Sequence, residues 1–267
     1  MPNFLLPDGA KLNYTDKGQG QPVVFIHGVW MSSRFFKRQQ AFFSKRYRFV
    51  ALDLRGHGRS SHIPRGHTLG TYAADLRAFM KGLGLTDAVL VGWSMGGFLI
   101  WEYFRHFGAE NVRATVVVSE TASDYKRDDW PLGAFDFPSL CDMMKRVQTD
   151  RPKLVNEFID LMFKEPVSAK DREWIFKEIT RLPETIASAI LFDQTVQDYR
   201  PVLPQVNVPT LLCWGRDEKL IPIAGATHLQ QTMPQTRLVI FEKSGHCPFL
   251  EEPGRFNRTV DEFIQSL

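Results

Sequence analysis

The chain has 267 residues, 43% of them hydrophobic, enough to bury a real core as one large α/β domain or as one domain carrying an insertion. Thirty-three Lys and Arg against thirty Asp and Glu leave a formal charge of +3, and the basic residues are scattered, which excludes a nucleic-acid or membrane-surface footprint and favours a small-molecule partner. No basic leader followed by an apolar stretch opens the sequence, and nowhere do 18 or more apolar residues run together, so the expectation is a soluble, cytoplasmic protein.

In chain order, two short strands flank Pro7-Asp8-Gly9, and PVVFIHG (22–28) is a β-branched run stopped by glycine, which reads as a buried strand. Residues 32–45 carry Phe35, Phe36, Ala41, Phe42 and Phe43 at helical spacing, and YRFVALDLRG (47–56) returns to strand. The alternation continues with helix 68–83, strand 87–93, helix 95–107 and strand 113–119, then resumes with strand 209–214, helix 223–231, strand 236–241 and helix 253–266. Strand, helix, strand is the unit of a parallel sheet, so a doubly wound α/β fold with helices on both faces is expected.

Residues 121 to 205 break the pattern, with helix-like segments at 139–148, 152–163, 168–181 and 184–198 and no strand. The expected organisation is therefore a core of residues 1–120 and 206–267 with a helical cap, 121–205. Within the cap, Phe135, Phe137, Met143, Met144, Phe158, Met162, Phe163, Trp174 and Phe192 are candidate pocket walls. Such stripes at helical spacing are more often ordinary packing, so only a few are expected to line a site.

Cys141, Cys213 and Cys247 lie far apart without C-x-x-C spacing, which suggests reduced thiols rather than disulfides or a zinc site. No H-E-x-x-H, Walker loop or G-x-G-x-x-G is present, and no metal or cofactor is called for.

In an open parallel sheet, ligands gather beyond the carboxyl ends of the strands. There, VLVGWSMGGF places Ser94 between Gly92 and Gly96 at a strand-to-helix junction, where flanking small residues allow a sharp turn that leaves the serine protruding. The competing reading is a helix N-cap serine. A nucleophilic serine needs a base, and the base needs a carboxylate on its other nitrogen. Seven histidines are available, and His246 stands on the loop EKSGHCPFLEEP after the strand 236–241. The amide of Met95, at the N-terminus of the following helix, is a candidate oxyanion donor.

The stretches HGVW, DLRGHGRS, GWSMGG, WGRDEKLIP and SGHCPFLEEP, in that order, resemble the α/β-hydrolase family across nearly the whole chain, in its branch of serine esterases and non-haem chloroperoxidases. That resemblance implies a central, mostly parallel sheet flanked by helices, with Ser94 as nucleophile and His246 as base. It implies a second oxyanion donor in the amide of Val29. The DLRGHGRS loop reads as a structural turn, with Asp53 and Arg55 outside the chemistry. His27 would orient the loop after its strand. The family acid follows the penultimate strand as Gly-x-x-Asp with a proline four residues on. Here the segment reads Gly215-Arg-Asp217-Glu218-Lys-Leu-Ile-Pro222, so the count falls on Glu218 while Asp217 has the more usual side chain. Glu120, which ends the strand 113–119, is a third alternative because some members carry their acid there. Trp30 and Trp93 are candidate walls of an acyl pocket, as are Phe135 and Phe137.

The expected activity is hydrolysis of carboxylic esters of small or medium apolar substrates through an acyl-serine. The same serine constellation supports lactonase, perhydrolase and carbon–carbon bond hydrolase activities, and a slowly turning ligand sensor acting through a partner is a reading from another class. Relatives that carry a carboxylate in place of the serine, the dehalogenases and epoxide hydrolases, are excluded by Ser94. The oligomeric state is left open by the sequence.

Overall fold

Long β-branched runs become the centre of one eight-stranded sheet in the computed structural model, which describes residues 2–267. The strands are β1 (Asn3–Leu5), β2 (Lys11–Lys17), β3 (Pro22–Ile26), β4 (Arg48–Leu52), β5 (Ala88–Trp93), β6 (Val112–Val118), β7 (Thr210–Gly215) and β8 (Thr236–Phe241). Their order is β1-β2-β4-β3-β5-β6-β7-β8, with β1 and β2 antiparallel to their neighbours and all later pairs parallel. Every residue of β3, β5 and β7 is buried, which requires helices on both faces of the sheet.

Those helices are α1 (Lys37–Phe43), α2 (Leu69–Gly82) and α3 (Met95–Phe107) before the insertion. After it come α8 (Ile223–Thr232), the single turn α9 (Pro248–Glu251) and α10 (Pro253–Gln265). α1 packs on α10 and α2 packs on α3. α10 turns Phe256, Val260, Phe263 and Ile264 inward, and its buried Asp261 is matched by the Tyr47 hydroxyl at 2.7 Å and by Arg46 at 2.5 Å.

Between β6 and β7 stand the four helices α4 (Phe137–Thr149), α5 (Arg151–Met162), α6 (Ala169–Ile179) and α7 (Glu184–Val196), with no strand of the sheet among them. No helix among the described residues is long and apolar enough to cross a membrane.

Two stretches differ from the sequence expectation. The first turn of the 32–45 segment is a 3-10 turn, Ser33–Phe36, capped by the Ser32 hydroxyl on Arg34 N–H. The strand expected over 47–56 stops at Leu52, because Asp53 turns out of the sheet to accept from Ser33 N–H at 2.7 Å and Arg59 N–H at 2.9 Å. The loop that follows is a structural knot: Arg55 makes a bidentate pair with Asp75 at 2.7 and 2.8 Å and reaches Asp8 at 2.6 Å.

Candidate active site

The site begins at the turn from β5 into α3. Ser94 adopts φ 52° and ψ −125°, a region that side-chain-bearing residues avoid, and its N–H is held by Val118 C=O at 2.9 Å. The flanking glycines are obligatory: a Cβ on Gly92 would lie 2.3 Å from Gly96 C=O, and one on Gly96 would lie 2.4 Å from Ile26 C=O. Ser94 stands at the N-cap position of α3 but its side chain makes no capping hydrogen bond. The N-cap reading therefore has no bond to rest on, and the hydroxyl is free for other work.

The loop after β3 closes over this turn. A Cβ on Gly28 would sit 3.2 Å from Ser94 Cβ, a tight contact, so glycine eases the approach that brings Val29 beside the serine. His27 fixes the loop from below: its Nε2 accepts from Leu54 N–H at 3.0 Å, which leaves Nδ1–H to donate to Gly28 C=O at 2.8 Å. Burial keeps the ring well suited to this neutral role by lowering its pKa. The N–H groups of Val29 and Met95 have no hydrogen-bond partner among the described residues.

β7 and β8 bring the remaining groups. Their loops cross where a Cβ on Gly215 would lie 1.9 Å from Gly245 C=O, and Asp217 N–H donates to Ser244 C=O at 3.0 Å. This crossing sets Glu218 against His246, whose Nδ1–H donates to Glu218 Oε2 at 2.8 Å. Glu218 Oε1 accepts from Leu220 N–H at 2.9 Å. Burial opposes ionisation of Glu218, but the charge and hydrogen bond of His246 and the Leu220 amide outweigh it and hold the carboxyl below its usual range. His246 is anchored through its own backbone, donating to Met162 C=O at 3.0 Å and accepting from Trp93 Nε1–H at 3.0 Å.

Ser94 and His246 line one cavity of about 140 Å³. Its other walls come from the β3 loop (Val29, Trp30), from the segment after β6 (Asp124, Ala134, Phe135), from α4, α5 and α7, and from Leu220 and Ile221. The Trp30 indole N–H donates to Ala187 C=O at 3.0 Å, tying the sheet's loop to α7.

Several residues singled out from the sequence stand elsewhere. Asp217 does not meet His246 and pairs with Lys164 at 2.8 Å on the half-exposed side of the loop. Glu120 is buried and accepts from Thr121 N–H at 2.8 Å rather than meeting His246; burial, then the Asp124 charge, hold it well above the usual carboxylate range. Trp93 is not a pocket wall: as the last residue of β5 it points under the site, packing on Phe35, Phe249 and the His246 ring. Phe137 is not one either. It opens α4 with 63% of its surface exposed, whereas Phe135 is turned inward by its bridge to Tyr125.

Of the other cap aromatics and methionines, Met143 and Phe158 line the cavity, Met162 and Phe163 are buried in the core, and Phe192 is half-exposed. The polar wall residues Asp124, Arg146, Glu157 and Gln194 were not anticipated. Gln194 had a readable signal: it continues the buried stripe Ile186, Ala187, Ile190, Leu191 of α7, where a polar side chain is out of place. Asp124 lies in irregular chain and had none.

The model of the alpha/beta hydrolase family matches residues 23–259. The AB hydrolase superfamily protein YisY of Bacillus subtilis is 32% identical over 255 residues, covering 94% of each chain. The non-heme chloroperoxidase CPO-A1 of Kitasatospora aureofaciens is 31% identical over 278 residues, covering 99% of each. Among solved structures, an esterase from Exiguobacterium antarcticum superposes with a TM-score of 0.94 at 26% identity, over 98% of each chain. With its sheet order, its helices and nearly its whole length in agreement, the chain belongs to the alpha/beta hydrolase family.

Proposed function

We propose that the protein hydrolyses carboxylic esters of small or medium apolar substrates through an acyl-serine, with Ser94 as nucleophile, His246 as base and Glu218 as the acid that orients it. The observation that carries this reading is the buried His246–Glu218 pair at 2.8 Å, whose imidazole lines one cavity with a serine that is held at φ 52° and bonded to no cap. With Nδ1–H committed to Glu218, the other ring nitrogen is left unprotonated to take the Ser94 proton as the hydroxyl attacks the ester carbonyl. Negative charge then grows on the carbonyl oxygen. The unpartnered N–H groups of Val29 and Met95 are oriented donors for it, the latter reinforced by the N-terminus of α3.

Collapse of the tetrahedral species expels the alcohol, which takes the proton from the imidazolium. Water, deprotonated by His246, next attacks the acyl-serine and releases the acid. α4 to α7 act as a cap, since α4, α5 and α7 supply much of the cavity wall and leave room for a compact acyl or alcohol group. The esterase from Exiguobacterium antarcticum is a structural neighbour consistent with this chemistry.

The test is hydrolysis of 4-nitrophenyl butanoate with the Ser94→Ala protein as control, together with mass-spectrometric mapping of a fluorophosphonate label. Turnover that survives Ser94→Ala, or label on another residue, would sink the mechanism. The likeness to a non-heme chloroperoxidase favours one second reading, in which hydrogen peroxide replaces water in deacylation and yields a peracid. Peracid formed from acetate and peroxide, lost with Ser94→Ala, distinguishes it.

A further inference from the structure

Apart from Ser94, His246 and the part-exposed Arg146–Glu157 ion pair, the polar groups lining the cavity are Asp124 and Gln194. Each is only 4% exposed. They come from distant parts of the chain and meet in one hydrogen bond, Gln194 Nε2–H to Asp124 Oδ2 at 3.2 Å. That bond uses half of what the two side chains offer. Asp124 Oδ1 and Gln194 Oε1 are buried with no partner among the described residues. A buried acceptor without a donor is costly, and both side chains belong to the wall of one cavity, so an occupant that draws the two oxygens toward it and supplies hydrogen would relieve that cost. Both positions are fixed: Asp124 C=O accepts from Phe135 N–H at 2.9 Å, and Gln194 lies within the last turn of α7.

We propose that Asp124 and Gln194 form a recognition subsite for a hydroxyl group on the substrate, which makes hydroxyl-bearing esters the preferred substrate class. A hydroxyl fits better than a cation or an amide N–H. Burial lifts the Asp124 carboxyl to about 7, so near neutral pH it alternates between an acid that donates and a carboxylate that accepts, and a hydroxyl can answer both. Gln194 Oε1 accepts in either state. The rest of the wall is apolar, with Phe135, Leu154, Phe158 and Leu191 suited to the methylenes between the hydroxyl and the ester.

The turnover arm of the test rests on the acyl-serine reading above; a binding arm does not. Isosteric pairs that differ only in hydroxyl against methyl are compared on both sides of the ester: methyl 6-hydroxyhexanoate against methyl heptanoate, methyl 8-hydroxyoctanoate against methyl nonanoate, and 6-hydroxyhexyl acetate against heptyl acetate. The parent protein is expected to favour the hydroxyl member of at least one pair by about tenfold or more in kcat/KM, and the Asp124→Leu, Gln194→Leu double variant to reverse that preference. A parent with no hydroxyl preference in any pair, or a preference that survives in the double variant, would overturn the subsite while the esterase reading stands. If no ester is cleaved, that reading fails. Calorimetric titration of the Ser94→Ala protein with the same pairs then decides the subsite: tighter binding of a hydroxyl member upholds it, and equal or weaker binding in all pairs overturns it.

Discussion

His246 Nδ1 and Glu218 Oε2 lie 2.8 Å apart with both side chains 2% exposed, and Glu218 is the carboxylate that meets this imidazole while Asp217 pairs with Lys164. Glu218→Gln is therefore expected to lower kcat for ester hydrolysis by about ten-thousand-fold, because the amide can no longer select the tautomer or stabilise the imidazolium. Asp217→Asn removes only a part-exposed, solvent-screened ion pair and should change kcat less than about threefold. Steady-state kinetics of the two purified variants decide the assignment; losses of equal size would refute it.

The strain at Ser94 predicts a trade between stability and activity. Ser94→Gly relieves the φ of 52°, whereas Ser94→Ala keeps it, so the glycine variant should unfold at higher denaturant concentration, by about 1 kcal/mol in favourable cases. Both should be inactive. Chemical denaturation of the pair is the measurement, and an alanine variant at least as stable as the glycine variant would contradict the strain.

The crossing of the β7 and β8 loops makes a sharper stability prediction. A Cβ on Gly215 meets Gly245 C=O at 1.9 Å, backbone that cannot swing aside, so Gly215→Ala should cost at least about 2 kcal/mol and lower activity as His246 and Glu218 separate. Gly254, inside α10, has only the flexible end of Arg258 nearby, at 3.5 Å, and Gly254→Ala should be neutral or slightly stabilising through helix propensity. Thermal unfolding of both variants against the parent checks the contrast.

Asp124 should leave its mark on the pH dependence of stability. Burial raises its pKa from 3.8 to about 7, so between those values the unfolded chain has released the proton while the folded protein keeps it. This group's contribution therefore turns against the folded state as pH rises from about 4 to about 7, then levels off, for a total of at most about 4 kcal/mol. The Asp124→Asn variant lacks the titration. Its stability relative to the parent should rise across that window, and a difference independent of pH would show that the carboxyl is not displaced.

Much of this architecture was legible because it is written in local patterns. The alternation of β-branched runs with helical spacing predicts the parallel sheet, and the glycines around Ser94 predict its turn, since sequence neighbours alone determine both. The bounds moved where a side chain competed with the strand, as at Asp53, which leaves the sheet to satisfy backbone N–H groups on two other segments. Phe135 and Phe137 look alike in the sequence. An isolated bridge to Tyr125 turns one into the cavity, and the start of α4 sends the other to solvent.

By itself, then, the sequence determined the succession of strands and helices, the glycine-flanked Ser94 and the histidine loop, because each depends on residues within a turn or two of one another. Only the tertiary structure decided which of Glu218 and Asp217 meets the His246 imidazole, through two glycines, Gly215 and Gly245, that let separate loops cross in contact. It alone joined Asp124 to Gln194, 70 residues apart, since a hydrogen bond between an irregular segment and a helix face has no local periodicity to announce it.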